Sequence, residues 1–111
     1  MRYMLLICDD PSAEAGPEEG LGAQTEAWVD EMDGRGVRKA GDRLRPASDA
    51  TTVRVRNEEV LLSDGPFAET KEQIAGYDLI ECADLDEAIE VASKHPMARY
   101  GMIEVRPFWE A

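Results

Sequence analysis

Tyr3-Met4-Leu5-Leu6-Ile7-Cys8 is apolar at every position, so a strand built from it is greasy on both of its alternating faces. A strand with one solvated face shows polar residues at every second place. These six residues therefore need cover on two sides, and something must lie against each. Asp9, Asp10, Pro11 and a Gly- and Pro-containing stretch to Gly20 break the pattern and read as a loop.

From residue 18 to 33 the apolar residues Leu21, Trp28, Val29 and Met32, with Thr25 between them, recur at helical spacing and make one stripe. Gly34 and Gly36 supply its C-terminal stop. Residues 37–44 read as a second strand that Pro46 ends. Thr51-Thr52-Val53-Arg54-Val55-Arg56 alternates cleanly, and Asn57-Glu58 forms a tight reversal into a short strand over 59–62, because Asn tolerates positive φ. A turn-rich region spans 63–73, and Gly76-Tyr77-Asp78-Leu79-Ile80-Glu81-Cys82 is a further strand. Asp84 with Glu87 three residues on opens a second helix, whose expected buried stripe is Leu85, Ala88, Ile89 and Ala92 and whose stop is Pro96. Residues 101–106 are the last strand, closed by Pro107.

The order strand, helix, strand, hairpin, strand, helix, strand matches an α+β, ferredoxin-like split βαβ arrangement with an inserted β-hairpin in one domain. In it both helices cover one face of an antiparallel sheet. The apolar second face of residues 3–8 then calls for a partner, and sheet-to-sheet homodimerisation is the economical expectation. Cys8 and Cys82 fall toward opposite edges of that sheet, too far apart to bond, and both read as reduced core residues.

Charge narrows the partners. The 111 residues hold 24 Asp and Glu against 12 Lys and Arg, a net charge of −12, and that field repels phosphate backbones and anionic lipid headgroups. Neither nucleic acid nor a membrane is an expected partner, and no run approaches the length of a membrane span or a signal-peptide core, so a cytoplasmic location is the expectation. The charge is uneven: residues 34–56 carry seven bases and two acids. Arg38, Lys39, Arg43, Arg45, Arg54 and Arg56 either hold an anionic group or neutralise the acidic remainder, within the chain or across a dimer.

Ser63-Asp64-Gly65-Pro66-Phe67-Ala68-Glu69-Thr70-Lys71-Glu72 resembles the signature of the DGPF group of the YCII-related proteins. The likeness continues through the opening Met1-Arg2-Tyr3-Met4-Leu5-Leu6-Ile7, Leu44-Arg45-Pro46, Thr51-Thr52-Val53-Arg54, Gly76-Tyr77, Asp84-Leu85-Asp86-Glu87-Ala88, Ala98-Arg99-Tyr100-Gly101 and Ile103-Glu104-Val105-Arg106-Pro107. The resemblance implies a dimeric α+β barrel, in which two ferredoxin-like sheets pair. It implies no known reaction and no cofactor. Some relatives are encoded beside, or fused to, extracytoplasmic-function sigma factors, which makes such a factor an alternative partner. Other YCII-like relatives carry a His near the first helix, proposed to pair with an Asp. This chain has no His before His95, so that dyad does not carry over.

The DGPF bend is the first site candidate. Gly65 supplies backbone freedom before a proline and Pro66 fixes the turn. Asp64 would ordinarily accept from the N–H two residues on, but Pro66 has none; its carboxylate therefore bonds Phe67 or beyond, meets an Arg, or stays free as an acid or base. The structural alternative has Asp64 capping a turn while Phe67 plugs the core. His95 suits a proton shuttle, while its place at a helix C-terminus favours the charged form and is itself a structural reason for a histidine. Tyr77 and Arg99 are expected to line a cavity between helices and sheet, as proton donor and anion clamp, unless Tyr77 is a core residue. One His without clustered Cys or carboxylates offers no metal-ligand set, and no phosphate-binding glycine loop occurs. Two readings result: a small-molecule site using Asp64 or His95 in cofactor-independent acid–base chemistry, or a regulatory interaction module.

Overall fold

The computed structural model describes residues 1–9, 18–66 and 73–110. In chain order its elements are β1 (Arg2–Asp9), α1 (Glu18–Gly34), β2 (Arg38–Arg43), a 3-10 turn (Ala47–Asp49), β3 (Thr51–Arg56), β4 (Glu59–Asp64), β5 (Gln73–Glu81), α2 (Leu85–Ser93), α3 (Met97–Tyr100) and β6 (Met102–Pro107). The main sheet runs β2-β5-β1-β6 and every neighbouring pair is antiparallel. This is the interleaved order of two βαβ units, with β3 and β4 forming a separate two-stranded hairpin between them.

Strand β1 is central and behaves as its composition requires. Tyr3, Leu5 and Ile7 are buried beneath the helices together with Ile80 of β5, Trp28 and Met32 of α1, and Ala88, Val91 and Ala92 of α2. Met4, Leu6 and Cys8 point the other way and are only half-buried. Register fixes what surrounds them: Leu6 lies between Tyr77 and Glu104, Met4 between Leu79 and Arg106, and on the far side of β5 Tyr77 is paired with Asp42 and Leu79 with Ala40. The second face is thus an apolar square of Met4, Leu6, Tyr77 and Leu79, edged by polar side chains.

Two local features differ from the expected pattern. In α2 the buried residues are Ala88, Val91 and Ala92, while Leu85 and Ile89 are about half exposed. The two small alanines let the helix approach the sheet over Val91, and that rotation carries Leu85 and Ile89 to its flank. Strand β4 also continues through Asp64, where Thr51 pairs with it, so the bend begins later than a strand ending at Leu62 would place it. The hairpin turn is as read: Asn57 and Glu58 both have positive φ, the geometry of a mirror-image two-residue turn.

The start of α2 is tied down on both sides. Asp84 Oδ1 accepts from the Glu87 N–H at 2.9 Å, and Glu87 Oε1 reaches back to the Ala83 N–H at 3.1 Å. Cys8 and Cys82 are not joined in a disulfide: Cys8 pairs with Ile74 near the start of β5, whereas Cys82 follows the end of β5 and its N–H donates to the Met1 carbonyl at 2.9 Å. No helix of the described residues is long and apolar enough to cross a membrane. Replacing Asp84→Ala removes the N-terminal cap, with an expected cost of about 1 kcal/mol in urea unfolding.

Candidate functional site

A register break shapes the functional end of the sheet. Ile7 pairs with Gly76, but Cys8 pairs with Ile74, so Ala75 is an extra residue that bulges from β5. Its carbonyl accepts from the Leu44 N–H at 2.8 Å, binding the bulge to the end of β2. Bulges bend a strand locally and re-aim its side chains. Here α1 stands off the bent strands, and an open cleft of about 740 Å³ lies between them. Ile7, Leu21, Val29 and Met97 give it apolar surface; Asp9, Thr25, Glu26, Asp42 and Arg43 add polar and charged groups.

His95 lies at this cleft, and several contacts fix it. The residue is 4% exposed. Trp28 meets its ring edge-on, centroids 4.7 Å apart at 66°, and the Trp28 indole N–H donates to the Val91 carbonyl at 2.9 Å. That carbonyl is near the end of α2, so α1 caps α2 through the same indole that packs the histidine. The Met97 N–H donates to His95 Nδ1 at 3.0 Å, which makes Nδ1 an acceptor and puts the neutral ring's proton on Nε2. No buried side-chain nitrogen or oxygen of the described residues is left without a partner. Nε2, which has no partner among those residues, therefore keeps some open surface, and His95 is part of the cleft lining. Burial pushes the His95 pKa down to about 4. The field of a helix C-terminus favours the imidazolium; loss of hydration outweighs that field here, and the ring is neutral at pH 7.

The opposite wall is held by an ion pair. Arg38 Nε donates to Asp78 Oδ1 at 2.8 Å, and the same guanidinium reaches the Gly41 carbonyl at 3.0 Å and Asp33 at 3.3 Å. Asp78 faces the helices opposite Leu5 and is 6% exposed. Burial pushes its carboxyl above the ordinary range and Arg38 pulls it part of the way back. For Arg38, burial opposes the charge, but Asp78 and Asp33 more than offset it and the guanidinium stays ionised. Gly41 makes this possible, since a Cβ there would run into the Asp78 carboxylate and the Arg38 guanidinium.

The residues picked out from sequence do not gather at one place. His95 and Tyr77 both border the cleft, although strand alternation turns the Tyr77 side chain to the other sheet face, between Leu6 and Asp42. Asp64, Gly65 and Pro66 lie at the root of the β3–β4 hairpin, outside the cleft lining. Gly65 has φ +87°, its N–H donates to the Ala50 carbonyl at 2.7 Å, and its carbonyl accepts from Thr52 Oγ1 at 2.8 Å. Phe67 lies outside the described residues. Arg99 is exposed on α3 and away from the cleft. Among the described residues no group of three or more His, Cys, Asp or Glu is arranged to hold a metal. Asp78 and its pairing with Arg38 escape the sequence reading, yet a signal is present: Asp78 shares the parity of Gly76 and Ile80, a charge on the core-facing side of a strand.

Fold and cleft together define a small α+β protein with one helix-covered sheet face and a helix-side pocket. The YCII-related domain family matches residues 1–111, and an uncharacterised protein of Rhizobium meliloti (strain 1021) is 42% identical over 124 aligned positions, covering 96% of this chain and 91% of that one. The chain belongs to the YCII-related family. Among solved structures it is similar to 5-chloro-2-hydroxyhydroquinone dehydrochlorinase (TftG) from Burkholderia phenoliruptrix AC1100, determined in complex with 2,5-dihydroxybenzoquinone. The TM-score is 0.53 at 13% identity, over 100% of this chain and 96% of that one, a likeness of fold.

Two measurements check the site. The folded His95 pKa of about 4 lies below the ordinary value of 6.5, so unfolding takes up a proton between those values. Its contribution to stability is full above pH 6.5 and is lost as pH falls toward 4. Between pH 7 and 4.5 it amounts to roughly 2 kcal/mol, and His95→Phe should flatten the pH dependence of urea unfolding by that order; a ring whose NMR signals titrate near pH 6.5 refutes the burial argument. Gly41→Ala should cost about 3 kcal/mol by forcing the Arg38–Asp78 pair apart, seen as a lower urea midpoint.

Proposed function

We propose that this protein is a dimeric α+β barrel in which each protomer binds a small oxygenated organic molecule in the α1–β5 cleft. The observation that carries this reading is the His95 ring: Nδ1 accepts from the Met97 N–H, which leaves the proton on Nε2, and the residue lines the cleft. A neutral imidazole in that tautomer is a hydrogen-bond donor. It suits a carbonyl or phenolic oxygen, and it stabilises such an oxygen as negative charge grows on it during proton transfer. The volume, about 740 Å³, is within the usual range for small-molecule pockets, and the lining sets Ile7, Leu21, Val29 and Met97 beside polar and charged side chains. TftG, similar in fold, was solved with a dihydroxybenzoquinone, which makes small hydroxylated rings and quinones the reasonable first probes.

In this reading His95 orients and polarises the ligand, and Asp64 at the hairpin root takes no part. The barrel arises when the uncovered faces around Leu6 and Tyr77 meet in a homodimer. Its aromatic and aliphatic centre with a polar edge has the anatomy of a protein interface. The alternative of an interaction module serving a sigma factor draws on a different feature, the exposed apolar hairpin.

A panel of hydroxylated benzenes, benzoquinones and short oxo-acids, 2,5-dihydroxybenzoquinone among them, tests the site by NMR. Saturable shifts are expected at Leu21, Val29, Met97 and the His95 ring. Affinity should fall at least about 10-fold in His95→Phe, which keeps an aromatic ring and deletes the donor. Leu21→Trp, which fills the cleft from α1, should abolish the shifts. A panel that leaves the cleft unperturbed at millimolar concentration, or equal affinity in His95→Phe, overturns the assignment.

A further inference from the structure

The basic stretch of the sequence is used unevenly. Arg38 is taken by Asp78 and Asp33, Arg45 by Asp49 and Arg35 by Glu90. Arg43 lines the cleft and has no hydrogen-bond or ion-pair partner among the described residues, whereas Lys39 and Arg54, equally unpaired there, lie outside the lining. Register sets where Arg43 stands. It pairs with Gly76, which pairs in turn with Ile7, so the three form one row across β2, β5 and β1, on the face that Asp78 and Ile80 share beneath the helices. Gly76 puts no side chain into that row, and a Cβ there would press to 3.0 Å on the Asp42 carbonyl. With strands about 4.8 Å apart, the backbones of Arg43 and Ile7 stand roughly 10 Å from one another over a bare peptide floor. On the far side of Ile7, Met97 opens α3, which packs on β1 and β6, and its N–H is bonded to His95. The cleft thus has an unpaired cation at its β2 rim and a neutral imidazole toward β1, with Gly76 and Ile7 between them.

We propose that Arg43 is the specificity-determining residue of this cleft: its guanidinium pairs with a carboxylate on the ligand while His95 donates to a second oxygen across the floor, so that the pocket selects ring monocarboxylates. This rests on the cleft being a ligand site, as read above, and adds the chemical class it takes. A planar guanidinium offers two parallel N–H groups that match the two oxygens of a carboxylate, and Arg43 can turn to one without breaking a contact. The neighbouring charges decide against other anions. Asp9 and Glu26 share the lining, neither within ion-pair distance of Arg43; Asp42 alternates away with Tyr77, and Asp78 is already matched by Arg38. Two carboxylates against one guanidinium repel phosphate and other free or multiply charged anions. A negative group is retained there only when the rest of its molecule gains from the apolar floor, and a single carboxylate on a flat ring meets both conditions.

The test compares 2,5-dihydroxybenzoate with its methyl ester, the same ring without the charge, by NMR titration of the full chain at pH 7. The carboxylate should bind at least about 10-fold more tightly than the ester. Arg43→Gln should erase that preference while leaving the affinity for the ester within about 2-fold, and Arg43→Lys should restore part of it. Arg43 has no internal partner to lose, so both variants should keep the wild-type circular dichroism. Lys39→Gln removes the same charge from the same strand outside the cleft and should change neither affinity. Cleft shifts from both probes, with equal affinities that Arg43→Gln leaves unaltered, keep the pocket and overturn the clamp. A loss in Lys39→Gln as large as that in Arg43→Gln also overturns it, since the general field then accounts for the preference. If neither probe nor 2,5-dihydroxybenzoquinone shifts Leu21, Val29, Met97 or His95 at millimolar concentration, pocket and clamp fall together.

Discussion

Only one face of the sheet is covered by helices, and the strand at its centre is apolar on both. Tyr3, Leu5 and Ile7 pack under α1 and α2 with Trp28, Met32, Ile80 and Val91; Met4, Leu6 and Cys8 face away. Burial of apolar surface, at about 25 cal/mol per Å², draws the helices onto the first face. The same force acts on the second face and finds no element of the described chain to bring there. Helix placement, the Trp28–His95 contact and the uncovered square all stem from that inequality.

The site depends on how closely α1 and the sheet approach. At the Trp28 end they close and exclude water, which is why the His95 ring is neutral. At the Ala75 bulge they diverge, which is why the same ring has an open side. His95 is fixed by Trp28 and the Met97 N–H, and Asp78 by Arg38. Such an arrangement is preorganised, and its polar groups need little rearrangement to meet a ligand.

Most of the architecture is legible in the residues because it rests on periodicity and punctuation. The two-sided apolarity of β1, the alternation of β3, the Asn57-Glu58 reversal and the Asp84–Glu87 cap are local signals, and each appears where its chemistry puts it. The resemblance carried by the DGPF segment also leads to the family to which the chain belongs. The candidate site is harder to read. Its opening depends on one unpaired residue, Ala75, which no local pattern marks, and its ion pair joins Arg38 and Asp78 from strands 40 positions apart. The ionisation of His95 runs against the sequence expectation because the field of a helix end is visible in sequence, whereas the depth to which a ring will be buried is not. Likewise the rotation of α2 depends on what Ala88 and Ala92 meet, and that is set by the sheet.

The cleft has walls of unequal freedom. On the sheet side Gly41 can carry nothing larger than hydrogen, since Asp78 and Arg38 fill the space beside it, so that wall has little capacity to vary. On the helix side Leu21 and Val29 are partly buried and answer to shape alone, and Gly22 has open space where a side chain would stand. Divergence toward new ligands, by descent or in the laboratory, would therefore be written mainly along one turn-by-turn row of α1, with the strands beneath serving as an unchanging template.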